Sequence, residues 1–224
     1  PSALALSAST FAENAAGASI GTLSATDPDS GETFTYAIFG TDKDSFELDG
    51  TTLKLIDTVS ADFEADSSYS ITLTATDSAD NTVSKDYTIT VTDVNETPSA
   101  VALSASTFAE NAAGASVGTL SATDPDSGET FTYSITGTDK DSFELSGTTL
   151  KLKDSVSADF ETDASYSITV TATDSGSNTV SKDYTISVTD VNEAPSALAL
   201  SATTFAENAA GATIGTLSAT DPDS

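Results

Sequence analysis

The 224 residues include no cysteine, histidine, tryptophan or methionine, and only 7 lysines and arginines against 35 aspartates and glutamates. Each absence removes a class of chemistry. Without histidine or cysteine, the usual zinc sites and the Ser-His-Asp and Cys-His catalytic arrangements cannot be built. Without cysteine there is no disulfide framework, and the compartment cannot be read from redox chemistry. The formal charge of −28 argues against a nucleic-acid partner, because phosphate binding needs a basic surface. No apolar run approaches the roughly 20 residues of a transmembrane helix, and no signal peptide opens the chain. The sequence starts at Pro1 and stops at Ser224 in the middle of its own pattern, and so reads as a fragment.

What is present is repetition. "TFAENAAGA" begins at Thr10, Thr107 and Thr204, a period of 97 residues. The units expected from this period are 1–97, 98–194 and a truncated 195–224. The first two differ at 14 positions, nearly all small conservative exchanges such as Leu4 for Val101 or Leu73 for Val170. A unit this long exceeds one solenoid turn and suits an independently folded domain.

Each unit reads as all-β. In "YSITLTATD", Tyr69, Ile71, Leu73 and Ala75 alternate with Ser70, Thr72, Thr74 and Thr76, the period of a strand with one buried face. "VSKDYTITVTD" continues the pattern, and "FTYAI", "TLKL", "ALALS", "IGTLSAT" and "SFEL" supply shorter strands. Gly, Asp, Asn and Pro fill the joints. "FAENAAGA" has room for one helical turn before Gly17. About seven strands per unit predict tandem seven-stranded Greek-key sandwiches of immunoglobulin-like type. The aromatics Phe34, Tyr36, Phe46, Tyr69 and Tyr87 are expected in the core.

Acidic residues gather at the joints, in "DPDS", "DFE" and "DVNE". Each motif alone also reads as ordinary turn chemistry. Together, "FAENAAGASIGTLSATDPDSGETFTYAI", "DFE", "YSITLTATD" and "VTDVNETP" stand in the order and approximate spacing of a cadherin repeat. The chain resembles the cadherin-like tandem repeats of large bacterial surface and secreted proteins, over both complete units and the start of the third. The linker is one residue shorter than the family's Asp-x-Asn-Asp-Asn-x-Pro, and "DFE" replaces Asp-Arg-Glu.

The resemblance implies Ca²⁺ at the junctions between units, two or three ions at each. For the first junction it selects Glu13, Asp62, Glu64, Asp93, Asn95, Glu96, Asp124, Asp126 and Asp174. For the second it selects Glu110, Asp159, Glu161, Asp190, Asn192, Glu193, Asp221 and Asp223, an incomplete set because the counterpart of Asp174 would lie beyond Ser224. The chemistry of these residues agrees. Ca²⁺ takes 6–8 oxygen ligands from carboxylates, Asn side chains, carbonyls and water. Without a cation, carboxylates a few Å apart repel by about 1 to 4 kcal/mol per pair at effective dielectrics of 80 to 20. Asp27, Asp29 and Asp77 have the same character without an upstream unit. "TDKDSF" reads as a plain turn, and Asp80 and Asn81 as a hairpin loop.

Paired carboxylates can also serve a glycosidase, but these recur in every unit and no aromatic-lined cleft is evident; no enzyme is expected. The resemblance implies a secreted, extracellular or cell-surface location associated with a membrane, and homophilic or other cell adhesion. The partners it implies are Ca²⁺ and cell-surface proteins, matrix or carbohydrate. The near-identity of the units equally suits a structural spacer that presents a binding head elsewhere. Residues 195–224 supply only the first strands of a sandwich, so Leu198, Leu200, Phe205, Ile214 and Leu217 are expected to lack packing partners, and the segment to be poorly ordered.

Overall fold

A computed structural model describes residues 1–208 and 210–223. The chain divides into two compact units, Pro1–Glu96 and Thr97–Ser224. In the first, the strands are β1 (Ala3–Leu6), β2 (Thr10–Ala12), β3 (Ser19–Thr26), β4 (Thr35–Phe39), β5 (Phe46–Asp49), β6 (Thr52–Leu55), β7 (Ser68–Thr76) and β8 (Thr82–Thr92). They form two four-stranded sheets, ordered β1-β3-β6-β5 and β2-β8-β7-β4. The alternation read in the sequence is the alternation of burial: Ile71, Leu73 and Ala75 on β7 and Ile89 and Val91 on β8 face Leu53 and Leu55 across the sandwich. Each such Leu, Ile or Val stabilises the fold by roughly 1.5–3 kcal/mol. On the outer face, Thr72 Oγ1 donates to Asp86 Oδ1 at 2.7 Å and Thr74 lies 2.8 Å from Ser84, cross-strand pairs of the kind that support a solvated sheet face.

The architecture is the expected Greek-key sandwich with one refinement. The first strand is split between the sheets: β1 pairs antiparallel with β3, while β2 runs parallel to β8. The crossing needs a glycine. A Cβ on Gly21 would lie 2.8 Å from the backbone N and O of Ala8, and the pairing of β3 with β6 shifts register between Ser19 and Gly21. "FAENAAGA" forms no helical turn. After Ala12 the chain turns through Asn14 and Gly17, both at positive φ. "TDKDSF" closes as a short 3₁₀ turn, Lys43–Ser45, and Asp42 Oδ2 accepts from the Ser70 N–H at 2.7 Å.

Of the expected core aromatics, Phe46 is buried, with the Tyr69 ring edge-on to it at 5.4 Å. Tyr36, Tyr69 and Tyr87 are half-buried at the core margin, and Tyr87 Oη donates to the Leu4 carbonyl at 3.3 Å. Phe34 is half-buried just before β4. Amphipathic tyrosines settle at margins because the ring packs while the hydroxyl keeps a polar partner.

The second unit repeats the plan with β9 (Ala100–Leu103), β10 (Thr107–Ala109), β11 (Ser116–Thr123), β12 (Thr132–Thr136), β13 (Phe143–Ser146), β14 (Thr149–Leu152), β15 (Ser165–Thr173) and β16 (Thr179–Thr189). It continues into a hairpin of β17 (Ser196–Leu200) and β18 (Leu217–Thr220). Every residue of these two strands is exposed. No helix among the described residues is long and apolar enough to cross a membrane.

Candidate metal centre

The carboxylates at the end of each unit are organised by one buried glutamate. Glu13 is 4% exposed and Glu110 3%. Glu110 follows β10, and each of its oxygens accepts one backbone N–H: Phe160 donates to Oε2 at 2.7 Å and Val191 to Oε1 at 2.8 Å. Glu13 does the same with Phe63 at 2.6 Å and Val94 at 2.9 Å. One side chain thus ties the "DFE" loop to the segment leaving the last strand. Each oxygen keeps a further lone pair for another partner.

Around this anchor, Glu13, Asp62 and Glu64 bring carboxylate oxygens within 4.8 Å of one another, and so do Glu110, Asp159 and Glu161. In the second unit Glu161 belongs to two such groups, because it also lies within 4.8 Å of Asp190 and Asp223. In the first unit, Glu64 and Asp93 approach equally closely. The Asp62 and Asp159 carboxylates are fixed by the backbone of their own loops, from Ala65 and Thr162 at 3.1 Å. Asp223 Oδ2 accepts from Glu193 N–H at 2.8 Å and from the Asn192 amide at 2.9 Å, which draws the turn after β18 onto the segment after β16. Asp221 Oδ1 accepts from Asp223 N–H at 3.1 Å. Asn95 and Asn192 donate to the carbonyls of Glu96 and Glu193 at 2.6 and 2.7 Å.

Asp124, Asp126 and Asp174 occupy the other end of the second unit. Asp126 N–H donates to Asp124 Oδ1 at 3.1 Å, and both Asp126 and Asp174 are buried. Asn178 holds Asp174 through its backbone N–H at 2.7 Å and its amide at 3.1 Å. In the first unit the same end carries Asp27, Asp29 and Asp77. There the Pro1 ammonium sits 2.7 Å from Asp27 and 3.5 Å from Asp77.

Several supporting residues lie outside the set selected from the sequence. Asn14 and Asn111 donate to Glu96 and Glu193, and both asparagines sit at positive φ. Their signal was the residue after Glu in "AEN", since Asn tolerates the left-handed region. Asn81 and Asn178 belong to hairpin loops that also clamp Asp77 and Asp174.

Electrostatics shows the strain of so many anions. Loss of solvation pushes the Asp190 carboxyl above its ordinary range, helped by the charges of Asp223 and Glu110. A backbone hydrogen bond pulls Glu161 down, but desolvation and the charges of Glu110, Asp190 and Asp223 raise it in net. Glu193 is likewise pulled down by the Asn111 amide and raised in net by desolvation, Asp223 and Glu110. Desolvation also raises Asp124, with Asp126 and Asp174 adding to it. Glu193 Oε2 and Asp124 Oδ2 are buried without a hydrogen-bond partner among the described residues. These oxygens suit a cation with hard-oxygen preference, and the donor set contains no soft ligand.

Tandem sandwiches with carboxylate clusters at their ends define a class of multi-repeat β-proteins. Comparison with known families gives the cadherin domain, matched over residues 7–92 and again over 104–189. The chain belongs to the cadherin family and consists of extracellular, adhesion-type repeats. It is 34% identical to human Protocadherin Fat 4 over 219 residues, covering 90% of this chain and 4% of that protein. Among solved structures, the protocadherin gammaB4 extracellular domain superposes with a TM-score of 0.67 at 26% identity, covering 98% of this chain and 38% of that one. Mouse cadherin-23 EC22-24 gives a TM-score of 0.72 at 22% identity over 96% of this chain and 74% of that one, a likeness of fold. The chain thus spans a small part of the curated relative and well under half of the gammaB4 structure.

Proposed function

We propose that these repeats bind Ca²⁺ at their junctions and that the bound ions stiffen a tandem array, which serves as the extended part of a larger cell-surface adhesin. The observation that carries the reading is the position of Glu161 in two carboxylate groups at once, with Glu110 and Asp159 from the body of a repeat and with Asp190 and Asp223 from the linker and the segment beyond it. A cation held by both groups couples three stretches of chain that otherwise repel one another. The second-junction ligands on this reading are Glu110, Asp159, Glu161, Asp190, Asn192, Glu193, Asp221 and Asp223. The first-junction set is Glu13, Asp62, Glu64, Asp93, Asn95, Glu96, Asp124, Asp126 and Asp174, with repeat boundaries at 97 and 194 and two or three ions per junction. When bound, Ca²⁺ supplies positive charge and oxygen coordination. The protein holds Glu110 and Glu193 in place through backbone N–H groups and Asn111, so the ligands are arranged before the ion arrives.

The near-identity of the repeats supports extension as their mechanical task, because no repeat is distinguished as a binding head. Adhesion belongs to the assembly that the array carries. Calorimetric titration of the whole chain with Ca²⁺ tests the reading. Saturable binding that Glu161→Ala weakens at the second junction is expected; binding unchanged by Glu161→Ala would overturn it.

A further inference from the structure

Strand β4 (Thr35–Phe39) is an outer edge of the sheet ordered β2-β8-β7-β4. Native sheets guard such edges with charges, prolines, bulges or very short strands, because an unpaired edge invites another chain. The other edges of the first unit are guarded. β2 has three residues and β1 has four, and the Leu4 carbonyl of β1 accepts the Tyr87 hydroxyl. β5 carries Glu47 and Asp49, with Lys54 3.1 Å from Glu47. β4 has none of these devices. From Thr33 to Thr41 nine successive residues are uncharged, and the strand pairs with β7 without a register shift.

The ladder fixes which groups of β4 face outward. Val91 N–H donates to the Ser67 carbonyl at 2.9 Å and Asp77 N–H to the Asn81 carbonyl at 3.0 Å, at the two ends of the β7–β8 pairing. Hydrogen-bonded pairs alternate along an antiparallel ladder, so odd-numbered residues of β7 bond to β8 and even-numbered ones to β4. The partners of Thr76, Thr74 and Thr72 on β4 are Thr35, Ala37 and Phe39. The N–H and C=O groups of Tyr36 and Ile38 therefore point away from the sheet, and no backbone partner meets them among the described residues. The side chains of Tyr36 and Ile38 pack against the core, while Ala37 and Phe39 are exposed, Phe39 at 53%. The second unit has the same ladder and a different face. β12 reads "TYSIT" where β4 reads "TYAIF", so Ala37 becomes Ser134 and Phe39 becomes Thr136. Phe39 is the only aromatic among the 14 exchanges between the units.

We propose that β4 pairs antiparallel with β4 of a second copy of this chain, joining two four-stranded sheets into one. The edge is self-complementary about Ala37. A two-fold axis there sets Tyr36 opposite Ile38 of the second copy, and the reverse, so the outward N–H and C=O groups of both residues find partners. Ala37 meets its own counterpart and Phe39 meets Thr35, both at non-hydrogen-bonded positions, where side chains approach most closely. Aromatic–β-branched pairs of this kind stabilise antiparallel sheets, and Phe39 also reaches the opposing Ala37 diagonally. The contact lies along the side of a repeat and uses none of the junction carboxylates. Two five-residue edges bury less than the roughly 1,200 Å² of a stable interface, so the pairing of single chains is transient. It strengthens at high ionic strength, which screens the repulsion between two chains of formal charge −28.

The absence of cysteine makes disulfide trapping direct. In the full-length Ala37→Cys chain the two cysteines face each other across the axis at a Cα separation of about 4.5 Å, inside the disulfide range of roughly 4.4–6.8 Å. Mild oxidation of the native chain should give a linked homodimer. Ser134→Cys, the second-unit equivalent, should give several-fold less, and Thr88→Cys, exposed on the interior strand β8, background only. Adding Phe39→Thr to Ala37→Cys should lower the yield to that of Ser134→Cys. In the cysteine-free parent, sedimentation equilibrium should show reversible dimers that Ala37→Lys abolishes, with Ca²⁺ titration and melting unchanged. An Ala37→Cys yield no higher than that of Thr88→Cys overturns the proposal, and so do dimers that survive Ala37→Lys.

Discussion

Asp27 and Asp124 occupy the same position in successive repeats and differ in their surroundings: Asp126 and Asp174 beside Asp124 are buried, while Asp29 beside Asp27 is exposed. Asp27 has the Pro1 ammonium 2.7 Å away, and this hydrogen bond, with the Asp29 backbone N–H, holds its carboxyl below the ordinary range. Asp124 has Pro98 in peptide linkage at the equivalent place. Desolvation and the charges of Asp126 and Asp174 hold its carboxyl above that range. Two nearly identical carboxylate groups thus shift in opposite directions: a hydrogen-bonded ammonium lowers Asp27, while loss of solvation beside the buried Asp126 and Asp174 raises Asp124. The lesson is that a single positive charge beside such a cluster, as at Asp27, is enough to lower a carboxyl of the group.

That contrast can be broken most forcefully by supplying or withdrawing a cation. Chelation of the whole chain should lower thermal stability. At Ca²⁺ one hundred times Kd, binding to the folded state alone contributes about 2.7 kcal/mol, or roughly 10–20 °C in melting temperature for a domain of about 100 residues. A circular-dichroism melt that is the same in Ca²⁺ and in chelator would contradict the comparison.

Within the second junction, Glu161→Ala should reduce that Ca²⁺-dependent shift more than Asp159→Ala, since Glu161 serves two carboxylate groups and Asp159 one. Calorimetry on both variants ranks them, and equal losses would mean that the groups act independently. A subtler change is acetylation of the Pro1 nitrogen, which removes the positive charge beside Asp27. The Asp27 carboxyl should then titrate at higher pH, in the direction of Asp124, as followed by carbon NMR; an Asp27 titration unmoved by acetylation would show that the ammonium is not the cause. The smallest effect is expected from Asp44→Ala. That residue pairs with Lys43 away from the clusters, and Ca²⁺ binding should stay within error of the parent chain.

Much of this was legible in the sequence because period-two alternation is a direct imprint of a sheet with one wet face. Ile71, Leu73, Ile89 and Val91 needed only that rule. The split of the first strand was not legible: β1 and β2 are four and three residues long, too short for periodicity to show which sheet each joins. The helical turn suggested by the alanines of "FAENAAGA" gave way because Asn14 and Gly17 take positive φ and turn the chain toward the carbonyls of Ala61 and Val59. At the site, the resemblance to cadherin repeats drew attention to Glu13, Glu64 and Asp93. The neutral Asn111 and Asn178 went unnoticed because their role lies in holding a neighbour, which composition does not reveal.

The split first strand has a mechanical consequence. β2 runs parallel to β8 in register Phe11↔Val91, so the chain enters and leaves each sandwich at opposite poles. Tension applied through the two ends therefore pulls these strands lengthwise past each other. All the hydrogen bonds between them are loaded together, in shear, instead of one after another as in a hairpin drawn open from its tip. The short parallel pair is the clasp that must slip before the repeat can lengthen.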